Sequence, residues 1–169
     1  MIFIILWRLS GVIVNGLQRF NNKGKRLVNH QLSELLWSTY QKTWFKLFKL
    51  PNLNNNMCII TACNPYGEPQ STTLNNYLNR ELAHELSAMP VEYSEICAGS
   101  KDFSYYEDSF LLECEYSKAI ALGRKWQQNA VFWINDNQLY LCACRPIVGG
   151  LPETISMGKF TDRLTIVDS

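Results

Sequence analysis

A chain of 169 residues, 47% apolar and 18% charged, has the length of one ordinary domain and can bury a core without disulfide or metal staples. A net charge of +1 excludes a uniform basic field of the kind that attracts nucleic acid. The charge is unevenly placed, however: residues 1–50 hold eight Lys and Arg against Glu34 alone (+7), and residues 51–169 hold eight against fourteen Asp and Glu (−6).

Residues 1–29 read as a basic amphipathic extension. Met1 to Val14 is apolar but broken by Arg8, and it falls short of the roughly 20 residues of a spanning helix. It has neither the charged start nor the small-residue cleavage site of a signal peptide. Wound as a helix, it gathers Arg8, Gly11, Asn15, Gln18, Arg19 and Asn22 into one arc of about 100°. Lys23, Lys25 and Arg26 follow. This is the pattern of a helix lying on a membrane surface, which would give a peripheral membrane contact through residues 1–26. Packing on its own domain, a dimer contact, or a start codon placed too far upstream are competing readings.

The domain proper is expected over residues 30–145. Leu32, Leu35, Leu36 and Tyr40 predict a short helix, and TWFKLFKL (43–50) a strand. Pro51 and an Asn-rich stretch make a turn. MCIITAC (57–63) is a continuous β-branched run, hence a buried central strand, ended by Asn64-Pro65-Tyr66-Gly67. Leu74, Leu78, Leu82 and Leu86 predict a helix over 72–87, stopped by Pro90. A strand over 91–98, a polar loop over 99–108, a strand over 109–114 and a helix over 117–128 follow, with Asn129 as a left-handed cap. AVFWI (130–134) and QLYLCAC (138–144) form a hairpin. Residues 146–169 show no period and read as a peripheral tail.

From 57 to 134 the succession is strand, helix, strand, strand, helix, strand. This predicts a ferredoxin-like (split βαβ) α+β fold: an antiparallel sheet with two helices on one face, extended by an N-terminal helix and strand and a C-terminal hairpin strand.

Short phrases recur along this body: LWSTYQKTW (Leu36 to Trp44), Thr61-Ala62 with Asn64-Pro65, and Asn75 and Asn79 ahead of Leu82. Glu107-x-Ser109-Phe110 and Trp126-x-Gln128-Asn129-Ala130-Val131 complete them. In order and spacing they resemble an uncharacterised bacterial family, domain of unknown function 3293, over about residues 31–142. The chain departs from that family's usual pattern at Cys63, normally a bulky aromatic, and at Trp126, normally Phe or Tyr. The resemblance implies a shared fold and carries no activity with it.

Candidate site residues come from one anomaly. At about 100° per residue, Asn75 and Asn79 fall at the border of the leucine stripe of their helix. A buried amide without partners costs about 1–3 kcal/mol, so both need polar groups from neighbouring loops. Asn64, Glu107, Ser109, Gln128 and Asn129 supply the candidates. A polar clasp that merely pins loops is one reading. The other is a cleft lined by Asn64, Asn75, Asn79, Glu107, Ser109 and Gln128, able to recognise a polar ligand such as a nucleobase or an amino acid.

An enzyme is less well supported. Glu107 and Ser109 share a strand face, yet no histidine is placed to assist them, and His84 lies on the opposite side of its helix. The six cysteines lack metal-knuckle spacing and sit mostly in apolar runs, so reduced thiols, a cytoplasmic setting and no metal or cofactor are expected. Nucleic-acid binding by the body is disfavoured by its acidic balance, leaving the basic arm for phosphate contacts. The sequence therefore predicts a non-catalytic ligand-binding or protein-interaction module. A small enzyme on Glu107 and Ser109, or a membrane- or nucleic-acid-associated protein using the arm, are the alternatives.

Overall fold

Every position of Met57–Ile60 is buried, with Cys58 and Ile60 on one side and Met57 and Ile59 on the other. A strand covered on both faces needs a layer above it and a layer below, and the rest of the chain supplies them. The computed structural model describes residues 19–20, 26–27, 32–53 and 55–167. In chain order its elements are α1 (Glu34–Tyr40), β1 (Trp44–Leu47), β2 (Met57–Ile60), α2 (Thr72–Ser87), β3 (Tyr93–Gly99) and β4 (Tyr106–Glu113). They continue with α3 (Tyr116–Lys125), β5 (Ala130–Asn135), β6 (Gln138–Ala143), β7 (Thr154–Lys159) and β8 (Leu164–Ile166).

The eight strands form one sheet in the order β8-β1-β3-β4-β2-β5-β6-β7. All neighbours are antiparallel except β8 and β1, where Leu164 pairs with Phe45 in parallel register. Helices α2 and α3 cover one face. Leu82, Leu86, Ala119, Ile120 and Leu122 pack there on Cys58, Ile60, Phe110, Leu112 and Val131. Ser71 caps α2, its hydroxyl accepting from the Leu74 N–H at 3.2 Å. The two helices are tied by Glu85, which meets Lys125 Nζ at 2.7 Å and accepts from Trp126 Nε1 at 3.1 Å.

The other face closes on itself. Strands β1 and β5 are four steps apart in the sheet, which would be about 19 Å if it were flat. Yet the rings of Phe45 and Phe132 meet at 5.1 Å, edge to face, and Phe45 lies 5.4 Å from Phe160. The sheet is curled into a half-barrel whose concave side holds Phe45, Ile59, Ile96, Leu111, Ile134 and Leu139. Helix α1 closes one flank, with Trp37 only 2% exposed against Leu32, Leu141, Ala143 and Ile147.

This corrects the ferredoxin-like expectation. The sheet is mixed, eight-stranded and curled, with three α-helices among the described residues, rather than a simple antiparallel sheet under two helices. The segment from 146 onward, read as a peripheral tail, supplies β7 and β8 and buries Phe160 completely. Both strands were hidden by their exposure. Strand β7 is TISMGK with Gly158 at φ 87°, and β8 is only three residues long, so neither carries an apolar run. Strand β4 begins at Tyr106, inside the expected loop. Helix α3 ends at Lys125, and the left-handed residue after it is Gln127 (φ 56°), not Asn129. In α1 the buried residue is Trp37, while Leu35 is exposed.

Arg19–Phe20 and Arg26–Leu27 form a two-residue antiparallel ladder, so the amphipathic helix expected there does not reach Arg19. The remainder of that reading lies outside the described residues. No helix among the described residues is long and apolar enough to cross a membrane.

Phe160 is the anchor of the C-terminal strands, so Phe160→Ala should destabilise the whole domain by about 3–5 kcal/mol. Urea unfolding followed by tryptophan fluorescence checks this; a loss below about 1 kcal/mol would make the last two strands accessory.

Candidate functional site

Four residues beyond the end of β2 the backbone turns left-handed. Asn64 (φ 49°), Tyr66 (φ 58°) and Gly67 (φ 71°) all take the region that side chains disfavour. A Cβ on Gly67 would stand 2.6 Å from Asn129 Nδ2, so only glycine fits. Side-chain amides hold this strained turn. The Ala62 N–H donates to Asn79 Oδ1 at 2.8 Å, the Asn64 N–H to Asn75 Oδ1 at 2.9 Å, and Gln128 Nε2 to the Cys63 carbonyl at 3.1 Å. The Tyr66 N–H donates to the Gln127 carbonyl at 2.6 Å.

The same amides reach across to β4. Asn79 Nδ2 donates to the Asp108 carbonyl at 2.7 Å, and Thr61 Oγ1 does so at 2.8 Å. Asn75 Nδ2 donates to Asn64 Oδ1 at 3.0 Å, which orients Asn64 Nδ2 onto Glu107 Oε1 at 2.6 Å. The Tyr105 hydroxyl donates to that same oxygen at 2.6 Å. Tyr105, Glu107 and Ser109 occupy alternate positions and so share one face. Burial raises the Glu107 carboxyl above its ordinary 4.5, opposed by the hydrogen bonds from Tyr105 and Asn64. Burial and the adjoining Glu107 charge push the Tyr105 phenol up as well.

Glu107 lies in the wall of a cavity of about 720 Å³ on the concave side of the sheet. Asn64, Ser109 and Gln128 also line it, with Tyr40, Trp44, Ile59, Phe132 and Leu141 forming apolar walls and Lys42 and Lys101 at the exposed rim. Asn75 and Asn79 do not line it; they stand behind the wall and hold it. Glu107 Oε2 has no hydrogen-bond partner among the described residues, whose buried side-chain oxygens all have one. Oε2 is therefore the carboxylate atom left open to cavity space.

Residues 60–131 match the family described as protein of unknown function (DUF3293). It is the family that the sequence phrases resemble. The DUF3293 segment runs from the last residue of β2 to the second of β5. It contains all six residues expected at the site together with Tyr105. The aromatic walls at Tyr40, Trp44 and Phe132 lie outside it. No curated protein and no solved structure matches the chain.

Within the DUF3293 segment, Ser109 is buried and donates to the carbonyl of Glu107 at 3.2 Å, so its hydroxyl meets no base. His84 is exposed on α2. Cys63 lines the cavity, but burial pushes its thiol up to about 11, leaving little thiolate at neutral pH. All six cysteines are free, and no group of His, Cys, Asp and Glu among the described residues could hold a metal ion. A groove of about 960 Å³ lies by α2 and α3, and several of its charged and amide groups pair with each other: Lys125 with Glu85, Asn55 with Glu113, Asn56 with Glu115. Its carboxylates at Glu113 and Glu115 are exposed to water, whereas Glu107 is held between apolar walls.

Sequence reasoning missed two parts of the site. Tyr105 falls in the segment expected as a loop, although the alternation of Glu107 and Ser109 extends back to it. The expected Asn129 has partners the sequence does not announce, Tyr40 and Arg145, in a second chain behind the Gly67 turn. Asn129 Nδ2 donates to the Tyr40 hydroxyl at 3.1 Å, and Arg145 Nη1 to Asn129 Oδ1 at 2.9 Å. Burial pushes the Tyr40 phenol up to about 12. The Arg145 guanidinium stacks 4.7 Å over the Tyr66 ring. No local pattern announces contacts between positions this far apart.

Asn79→Ala leaves the Ala62 N–H and the Asp108 carbonyl with fewer partners and should cost about 2–4 kcal/mol, against about 1 for the half-buried Asn75→Ala. Chemical denaturation of both variants checks the order. For Glu107, the folded state holds its proton to higher pH than the unfolded chain does. Its contribution is thus most favourable below pH 4.5 and declines as pH rises through the raised folded value. Glu107→Gln should flatten that decline in a stability-against-pH series; an unchanged slope would show that Glu107 ionises as in water.

Proposed function

We propose that this protein is a non-catalytic binding module for a small polar molecule, and that its ligand lies in the concave cavity against Glu107. The observation that carries this is Glu107, which lines a space of about 720 Å³ and whose Oε2 has no hydrogen-bond partner among the described residues. Ligand sites have volumes of about 300–1,000 Å³, apolar walls and a few oriented polar groups, and this cavity has all three. Enclosure by Trp44, Phe132 and Leu141 favours a small molecule over a protein partner, which would need a broad accessible face. Six unpaired cysteines support a cytoplasmic location, and the family resemblance supports a bacterial source.

Catalysis has less support. An acyl-transfer or hydrolytic site needs a nucleophile joined to a base, and Ser109 is turned to a backbone carbonyl instead. A buried carboxyl with two donors on one oxygen is positioned to recognise rather than to attack.

A thermal-shift screen of metabolites and nucleotides tests this, run on the full chain and on Ala130→Phe, which fills the cavity from β5. A ligand present at 100 times its Kd stabilises by about 2.7 kcal/mol, or roughly 5–10 °C in Tm. The shift should vanish in Ala130→Phe. Hits that stabilise both proteins equally would place the ligand elsewhere and overturn the reading.

A further inference from the structure

The chemistry of the cavity narrows what it can hold. Among the described residues Glu107 receives two hydrogen bonds, from Asn64 Nδ2 and the Tyr105 hydroxyl, and both fall on Oε1. No Lys or Arg among the described residues forms an ion pair with it. An ionised carboxylate between apolar walls is poorly solvated, and a cation brought to it gains far more than it would in water. Neither lysine at the cavity rim forms an ion pair with Glu107. Lys101 is engaged elsewhere, its Nζ 4.8 Å over the Trp44 ring. Lys42 is exposed, and rim charges are screened over about 8 Å at physiological salt.

The ring faces point to the same conclusion. Tyr40, Trp44, Tyr105 and Phe132 line the space, and aromatic faces attract cations. Lys101 over Trp44 shows this with the chain's own ammonium. The form of the cation follows from the crowding on Oε1. A guanidinium binds a carboxylate best as a fork on both oxygens, and one of these already has two donors. An ammonium needs only one oxygen. Anions are repelled, and a neutral alcohol offers a donor without the compensating charge.

Resting on the reading of this cavity as the ligand site, we propose that it takes an organic ammonium ion. Its nitrogen donates to Glu107 Oε2, and its apolar or aromatic body lies against Trp44, Phe132 and Leu141.

The experiment compares three probes of one shape on the full chain at pH 7: 2-phenylethylammonium, its neutral counterpart 2-phenylethanol, and the anion 3-phenylpropanoate. Titration followed by tryptophan fluorescence or calorimetry gives each Kd. The ammonium should bind at least tenfold tighter than the alcohol, the anion weakest of the three. The advantage over the alcohol should disappear in Glu107→Gln, which keeps an acceptor for Asn64 and Tyr105. Equal affinity of ammonium and alcohol, tightest binding of the anion, or no binding of the ammonium overturns the assignment. The ammonium-to-alcohol ratio in the unsubstituted protein decides even if the variant folds poorly. The cavity itself is judged separately: alcohol and ammonium binding alike in the original chain but not in Ala130→Phe leaves the ligand site standing without its charge preference. Binding that survives Ala130→Phe removes the site as well.

Discussion

The carboxamide of Asn79 is the joint on which the site depends. It is 7% exposed, on a helix face packed against the sheet, and with the Thr61 hydroxyl it joins two strands whose ladder has already ended there. One end accepts from Ala62 as β2 runs out; the other donates to Asp108 within β4. Ladder pairing between these strands extends only to Ile60 and Phe110, so the helix takes over the hydrogen bonding where the sheet stops. Without that exchange the Asn64 turn would have no fixed distance to Glu107, and the carboxyl would have no reason to lie where it does. A buried amide that satisfies both of its functions is costly to remove and gives a single arrangement.

Enclosure is the second condition. A flat sheet would leave Glu107 in water, where an unpaired oxygen is ordinary. Curling brings β1 opposite β5 and adds α1 along the flank, so that Trp44, Phe132 and Tyr40 stand around the carboxyl. The apolar core and the site are consequently the same side of the same sheet. Rings of the concave cluster run on into the cavity wall through Phe132, so the packing that stabilises the fold also removes solvent from Glu107. That removal opposes stability at neutral pH, which is the usual condition of a site shaped for a partner it does not contain.

How much of this could be read beforehand depends on how local each signal is. Helix α2 runs over 72–87 as its leucine spacing predicts, because four apolar residues on one stripe, a Ser at the start and Pro90 beyond the end all agree. The placing of Asn75 and Asn79 against that stripe follows from helical geometry alone. The half-barrel was not legible. It rests on contacts such as Phe45 with Phe160 and Arg163 with the carbonyls of Gln41 and Thr43, which link the two ends of the described domain. Strands β7 and β8 are mostly exposed and too short in their apolar content to be recognised: Ile155 and Met157 alone alternate in one, and the other has three residues. Tyr105 was lost for a related reason: the hairpin before β4 is rich in Ser, Lys and Asp, and its polarity masked the onset of strand alternation.

The parallel pairing of Leu164–Ile166 with Trp44–Leu47 bears on how the polypeptide reaches this state. On the ribosome, the partner of β1 on that side emerges only after nearly all of the sheet has been made. Until then Phe45 and Leu47, both buried in the finished fold, belong to a strand with one open flank of main-chain donors and acceptors. Chain closure of this length slows folding, and an uncovered apolar strand is where nascent chains stick to one another. Late arrival of a three-residue strand thus sets the interval during which the newborn protein most needs shielding.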